Sequence, residues 1–137
     1  MQNLIPKKEE EERRLKALAE YRILGTKPES CYDDITKIAA STCNVPISLM
    51  TLVDKDKQWF KSKVGLEINE TKRDWSFCTH AIQESSPLII QDAFQDERFI
   101  NNPLVTGDPK IRFYAGFPLK NRDGNKLGTL CVIDRKP

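Results

Sequence analysis

The spacing of apolar residues changes from helical to strand-like and back along this chain, and each change marks an element. In residues 7–24, Leu15, Leu18, Ala19 and Ile23 form a narrow helical stripe behind a charged leading segment. Glu9, Glu10 and Glu12 stand four positions ahead of Arg13, Arg14 and Lys16, the orientation that supports a solvated helix. Gly25 stops that helix and Pro28 blocks its continuation. Ser30 with Asp33 then reads as the capping box of a second helix, with Tyr32, Ile35, Ile38, Ala39 and Thr42 on one side and Asn44 and Pro46 at its end.

Residues 47–53 are almost unbroken apolar sequence, as expected of a central strand covered on both faces. The polar turn Asp54-Lys55-Asp56-Lys57 returns the chain into residues 58–64, where Lys61 and Lys63 suit an edge strand and Gly65 closes the hairpin. Ser76 is placed to cap a helix over 76–84; residues 88–91 follow as a short strand, and Asp96 is placed to cap another short helix ending before Pro103.

Residues 110–134 read as two strands around Asp123-Gly124, a type I′ hairpin signal. With those two as the turn, Phe117 faces Leu130, Ala115 faces Val132, Gly116 faces Cys131 and Tyr114 faces Ile133. The alternating set Ile111, Phe113, Ala115, Phe117 and Leu119 is the expected core face, in an interior hairpin covered on both sides. On the opposite face Gly116 lies beside Cys131, a dip that admits either a ligand or a closely packed helix. The element order is α, α, β, β, short α, β, short α, β, β, so the fold class is α+β with an antiparallel sheet.

A net charge of +2 gives no field to gather nucleic acid, and no run approaches the roughly 18 apolar residues of a membrane span. The expected location is the cytoplasm, with no leader at the acidic N-terminus. Cys31, Cys43, Cys78 and Cys131 lack C-x-x-C spacing and, with the one His80, form no zinc pattern; they read as reduced, separately buried thiols.

Six stretches, in order, resemble the GAF domains of bacterial signalling proteins, in the branch found ahead of histidine kinase or diguanylate cyclase output domains. They are RLKALAEYRILGTKPESCYDDI, PISLMTLVDKDKQWFKSKVGL, ETKRDWSFCTHAI, PLIIQDAFQDERFINNPLV, IRFYAGFPL and LGTLCVIDRKP. The resemblance implies a PAS-like antiparallel sheet of five or six strands, N-terminal helices on one face, and short helices and loops over a small-molecule pocket on the other. It divides the chain into a possible signalling or dimer helix at 1–24 and a GAF domain at 25–137. Its candidate pocket residues are Trp75, Cys78, His80, Asp92, Phe99, Arg112, Tyr114, Gly116 and Cys131.

Cys78 and His80 are two apart on a helix and point about 200° from each other, which disfavours a nucleophilic pair. Bilin-carrying GAF domains place the cysteine next to the histidine; here Thr79 intervenes, so no covalent bilin is expected. The Asn-Lys-Phe-Asp-Glu signature of cyclic-nucleotide-binding GAF domains has no properly spaced match, and cyclic nucleotide is only a secondary candidate ligand. The ligand is otherwise unknown. Arg112 is also placed to pair with Asp92 or Glu97 at the surface.

With no assembled catalytic set, the expected function is a non-catalytic sensory module, expected as a homodimer, that binds a small ligand or transmits a signal through a dimer interface to a histidine kinase or diguanylate cyclase output domain. Two alternatives remain: a structural dimerisation module without ligand, and a redox-active GAF domain, such as a free methionine sulfoxide reductase, using Cys78.

Overall fold

Ile47–Val53 (β1) is buried at every position, and it has this burial because strands and helices close around it on all sides. The computed structural model describes residues 5–84 and 87–137. Helices Ile5–Tyr21 (α1) and Ser30–Cys43 (α2) precede β1, followed by Lys57–Val64 (β2), Glu70–Lys72 (β3), helix Phe77–Ala81 (α3), Leu88–Ile90 (β4), helix Pro103–Thr106 (α4), Phe113–Lys120 (β5) and Lys126–Asp134 (β6). The six strands form one antiparallel sheet in the order β3-β2-β1-β6-β5-β4. This is the expected α+β architecture: α1 and α2 lie on one face, and α3 with the following loops closes the other.

The predicted strand pairing in the C-terminal hairpin is correct. Phe117 pairs with Leu130, Ala115 with Val132, Gly116 with Cys131 and Tyr114 with Ile133, and the hairpin is interior to the sheet. Its turn is not the two-residue form. The Asn121 side chain accepts from the backbone of both Asp123 and Asn125, and a register shift after Leu119 absorbs the extra residues.

Ile111 and Ala115 of the expected core face are buried, as is Val132 opposite Ala115, but the other face of the hairpin is buried as well. Tyr114, Cys131 and Ile133 belong to the main core, while Phe117 is 44% exposed. α2 lies over β1, β2 and β6, so Phe117 on β5 extends past its cover and the hairpin is roofed fully on one side only. The α2 prediction fails in the same direction. Ile35 and Ile38 are exposed, and the residues buried against the sheet are Thr36 and Ala40. The opposing strand explains it: Ser62 is there, bonded to the Thr36 hydroxyl at 2.7 Å and donating to Asp33 at 2.5 Å. With Asp33 drawn to the sheet, Ser30 caps nothing; Glu29 occupies the cap position without a side-chain bond. Asn44, left-handed at φ 55°, ends the helix as expected.

β2 is not an edge, because β3 pairs along it, a strand the polar sequence of 67–74 concealed. Lys61 is buried too, under the segment before α2. Its ammonium reaches Thr26, the Lys27 carbonyl and, at 2.7 Å, the Glu29 carboxylate. α1 stops at Tyr21, short of Gly25, as Arg22 turns left-handed. Leu18 and Ala17 pack against Leu52, Leu127 and Trp59, whereas Ala19 faces solvent. Cys31 and Cys43 are exposed rather than buried.

Arg14 is the unexpected interior residue of α1. It donates to the Val53 carbonyl at 2.7 Å and grips Glu11, which also binds Arg73 at the start of the segment leading to α3. Burial raises the Glu11 carboxyl, but Arg14 and Arg73 outweigh it and hold the group at about 2. A carboxylate held below its unfolded value stabilises the fold above pH 4.5 and loses that contribution as pH falls toward 2. Discounted for solvent screening, the contribution is about 1–2 kcal/mol. Urea unfolding of wild type and Glu11→Gln should therefore differ by that amount at neutral pH, and the gap should close on acidification. A gap independent of pH contradicts this.

Candidate functional site

The floor of the site is set by the β1–β6 register. Thr51 lies opposite Thr129 on adjacent strands, both fully buried, with their hydroxyls 3.0 Å apart. Hydroxyls in an apolar interior need partners, and the roof supplies one. The Cys78 sulfur is 3.0 Å from Thr129 Oγ1 and 3.2 Å from the Tyr114 hydroxyl. Cys131, two residues along β6 from Thr129, is buried in the same core cluster as Cys78.

α3 is held in place by its own first residues. The Ser76 hydroxyl accepts from the Thr79 amide and donates to Gln58 at 2.8 Å, and Thr79 donates to the Arg73 carbonyl at 3.0 Å. Below it, Gly116 solves a packing problem. The Tyr114 ring folds back across Gly116, and a Cβ there would come within 2.6 Å of a ring carbon. The dip expected at Gly116 is thus filled neither by ligand nor by helix, but by the neighbouring tyrosine. Phe77 continues the stack, its ring parallel to Phe99 at 4.0 Å and tilted against Tyr114 at 5.1 Å.

Electrostatically the centre is asymmetric. Burial raises the Cys78 thiol, but hydrogen bonds from Cys131, Thr129, Thr51 and Tyr114 outweigh this and bring it down to about 6. Cys131 is pushed up by its hydrogen bond to Cys78 and by burial. Burial, then the charges of Cys78 and Cys131, push Tyr114 up, so its phenol stays a donor.

Beside these groups lies a cavity of about 20 Å³, lined by Leu49, Gln58, Phe60, Leu66, Ile68, Thr71, Phe77, Leu104, Pro109, Ile111 and Ile133 together with Cys78, Tyr114 and Cys131. That is room for one water-sized molecule.

Of the nine predicted residues, Cys78, Tyr114, Gly116 and Cys131 come together, with Phe99 behind Phe77. His80 is outside this centre, edge-on to Phe99 at 4.9 Å; burial, then Arg98, lowers its pKa. Asp92 and Arg112 bind each other at 2.8 and 2.9 Å near the surface, under the Phe94 ring, and do not reach the cavity. Trp75 packs at the core margin with Lys72 over its ring. Asp96 caps the turn at Arg98; the short helix α4 is capped by Asn102, which also holds the Trp75 carbonyl. α3 is five residues long, shorter than the expected helix from the Ser76 cap through Glu84, while the cap itself is as expected.

Thr51, Thr129 and Gln58 escaped sequence reading. Two threonines inside apolar strands were the available signal, and only the strand register shows that they meet.

The model of the GAF domain family matches residues 27–137. A Pseudomonas aeruginosa protein named cyclic di-GMP phosphodiesterase is 40% identical over 132 residues, covering 96% of this chain and 22% of its own length. The GAF domain of an Acinetobacter phosphoenolpyruvate-protein phosphotransferase superposes with TM-score 0.61 at 17% identity, over 100% of this chain and 80% of that one. The type II free methionine-R-sulfoxide reductase of Thermoplasma acidophilum superposes with TM-score 0.63 at 12% identity, over 87% and 78%. These findings overturn the expectation of no enzymatic role: a relative along nearly this whole chain is named as an enzyme, and the fold itself occurs in a reductase.

Removing the phenol hydroxyl by Tyr114→Phe keeps the ring over Gly116 but deletes one bond to Cys78. The Cys78 midpoint, followed by thiolate ultraviolet absorbance against pH, should rise toward the ordinary cysteine value of about 8.5; an unchanged midpoint contradicts the assigned role of Tyr114. By the extent of the family match and the sheet that carries it, the chain belongs to the GAF domain family.

Proposed function

We propose that this GAF domain is a sensory and regulatory module whose input site is the cavity under α3 and whose output is the turnover of cyclic di-GMP by a protein of which it is one part. The observation that carries the reading is the 40% identity, across 96% of this chain, to a protein named for cyclic di-GMP hydrolysis. The cavity supports it physically: it is an apolar space enclosed between the sheet and the short helices, with Cys78, Tyr114 and Gln58 among its lining residues.

The small volume limits the input. At about 20 Å³ the space takes a very small molecule as it stands, and a larger ligand requires α3 and α4 to lift. Either event shifts the roof, and Arg73 connects the roof to α1 through Glu11. We read residues 1–24, of which 1–4 lie outside the described residues, as the signalling helix, and 25–137 as the sensing domain. A signal must favour one arrangement over another to be transmitted at all.

The test replaces the matching segment of the Pseudomonas aeruginosa relative with this chain and measures cyclic di-GMP hydrolysis. Leu104→Phe, which fills the cavity from α4, should change the rate about fivefold or more while the melting transition persists. Rates indifferent to both the filled cavity and deletion of the whole segment would sink the reading.

A further inference from the structure

Two thiols that lie 53 positions apart in sequence share one buried centre. Cys78 reaches it from α3 and Cys131 from β6; each lines the same small cavity, and each is essentially excluded from solvent. Two hydroxyls, from Thr129 and Tyr114, lie 3.0 and 3.2 Å from the Cys78 sulfur. Hydroxyl donors beside a buried sulfur bond it more strongly when it carries charge. The cavity beside it admits a molecule of the size of water, which includes hydrogen peroxide and excludes any nucleotide.

We propose that Cys78 and Cys131 are a redox-active pair that reduces a small hydroperoxide, with Cys78 attacking and Cys131 resolving. The Cys78 thiolate attacks a peroxide oxygen of hydrogen peroxide, the O–O bond breaks, and the departing oxygen takes up the proton that the thiol released, giving a sulfenic acid and water. The Cys131 sulfur then attacks the Cys78 sulfur, the S–O bond breaks, and hydroxide leaves with the Cys131 proton as water. Two thiols are oxidised to one disulfide and one hydroperoxide is reduced. A dithiol reductant reverses the change by exchange. Tyr114 holds a donor 3.2 Å from the sulfur, where it steadies the thiolate, and Thr129 does so from the other strand. Closing the disulfide removes the Cys78 bonds to both and so alters how α3 sits on the sheet.

Cys31 and Cys43 are exposed on α2 and outside this centre, so the Cys31→Ser/Cys43→Ser chain isolates the pair without touching the core. It is exposed to hydrogen peroxide at neutral pH, then denatured, alkylated and mapped by mass spectrometry. The expected product is a single intramolecular Cys78–Cys131 cross-link, reversed by dithiothreitol, forming about tenfold or more faster than free cysteine oxidises. In Cys131→Ser on the same background, dimedone should trap Cys78 as a sulfenic acid. Both thiols alkylating fully after excess peroxide, or cross-links only between chains, overturns the proposal. The cross-link is read on folded protein with an intact core, so loss of folding in Cys131→Ser leaves the test decisive. Its outcome is independent of cyclic di-GMP hydrolysis, and either reading can fail without the other.

Discussion

A short run of bonds between hydroxyls and a thiol joins the roof of this domain to the middle of its sheet. Thr51 and Thr129 meet across β1 and β6, and Cys78 completes their bonding from above, with Tyr114 closing the fourth side. Each group is buried, and leaving any one unpaired costs about 1–3 kcal/mol. α3, with five residues, has too few bonds of its own to persist without such an anchor. Its position over the cavity, the Tyr114 ring over Gly116 and the Phe77–Phe99 stack all follow from where that anchor holds it.

On the other face a charged device does comparable work. Arg14, buried in α1, binds the end of β1 and orients Glu11 toward Arg73. Arg73 gives its carbonyl to Thr79, one residue from Cys78. The helix on one side of the sheet and the thiol on the other are therefore linked around the end of the β1–β2 hairpin by consecutive hydrogen bonds. A change at the cavity has a short structural route to α1, and no rearrangement of the central strands is needed for it.

Much of the architecture was legible because it depends on local signals. The hydrophobic run of 47–53, the Asp123-Gly124 turn and the Ser76 cap gave a central strand, a hairpin register and the start of α3. The errors lie where partners decide. Whether Ile35 or Thr36 faces inward depends on Ser62 of a distant strand, and the burial of Lys61 depends on Thr26, Lys27 and Glu29. The same holds at the site. The family pattern names Cys78, Tyr114 and Cys131, but the meeting of the two threonines arises from β1–β6 pairing, which sequence periodicity does not encode. Asp92 and Arg112 were drawn as pocket groups, and they satisfy each other at the surface instead.

The most direct measurement is a double-mutant cycle between Cys78→Ala and Thr129→Val, read by urea unfolding. If the thiol and hydroxyl bond as a unit across the roof and sheet, the two losses are non-additive, with a coupling of about 1 kcal/mol. Strict additivity would mean that Cys78 merely fills space, and that the roof is held by something other than this bond.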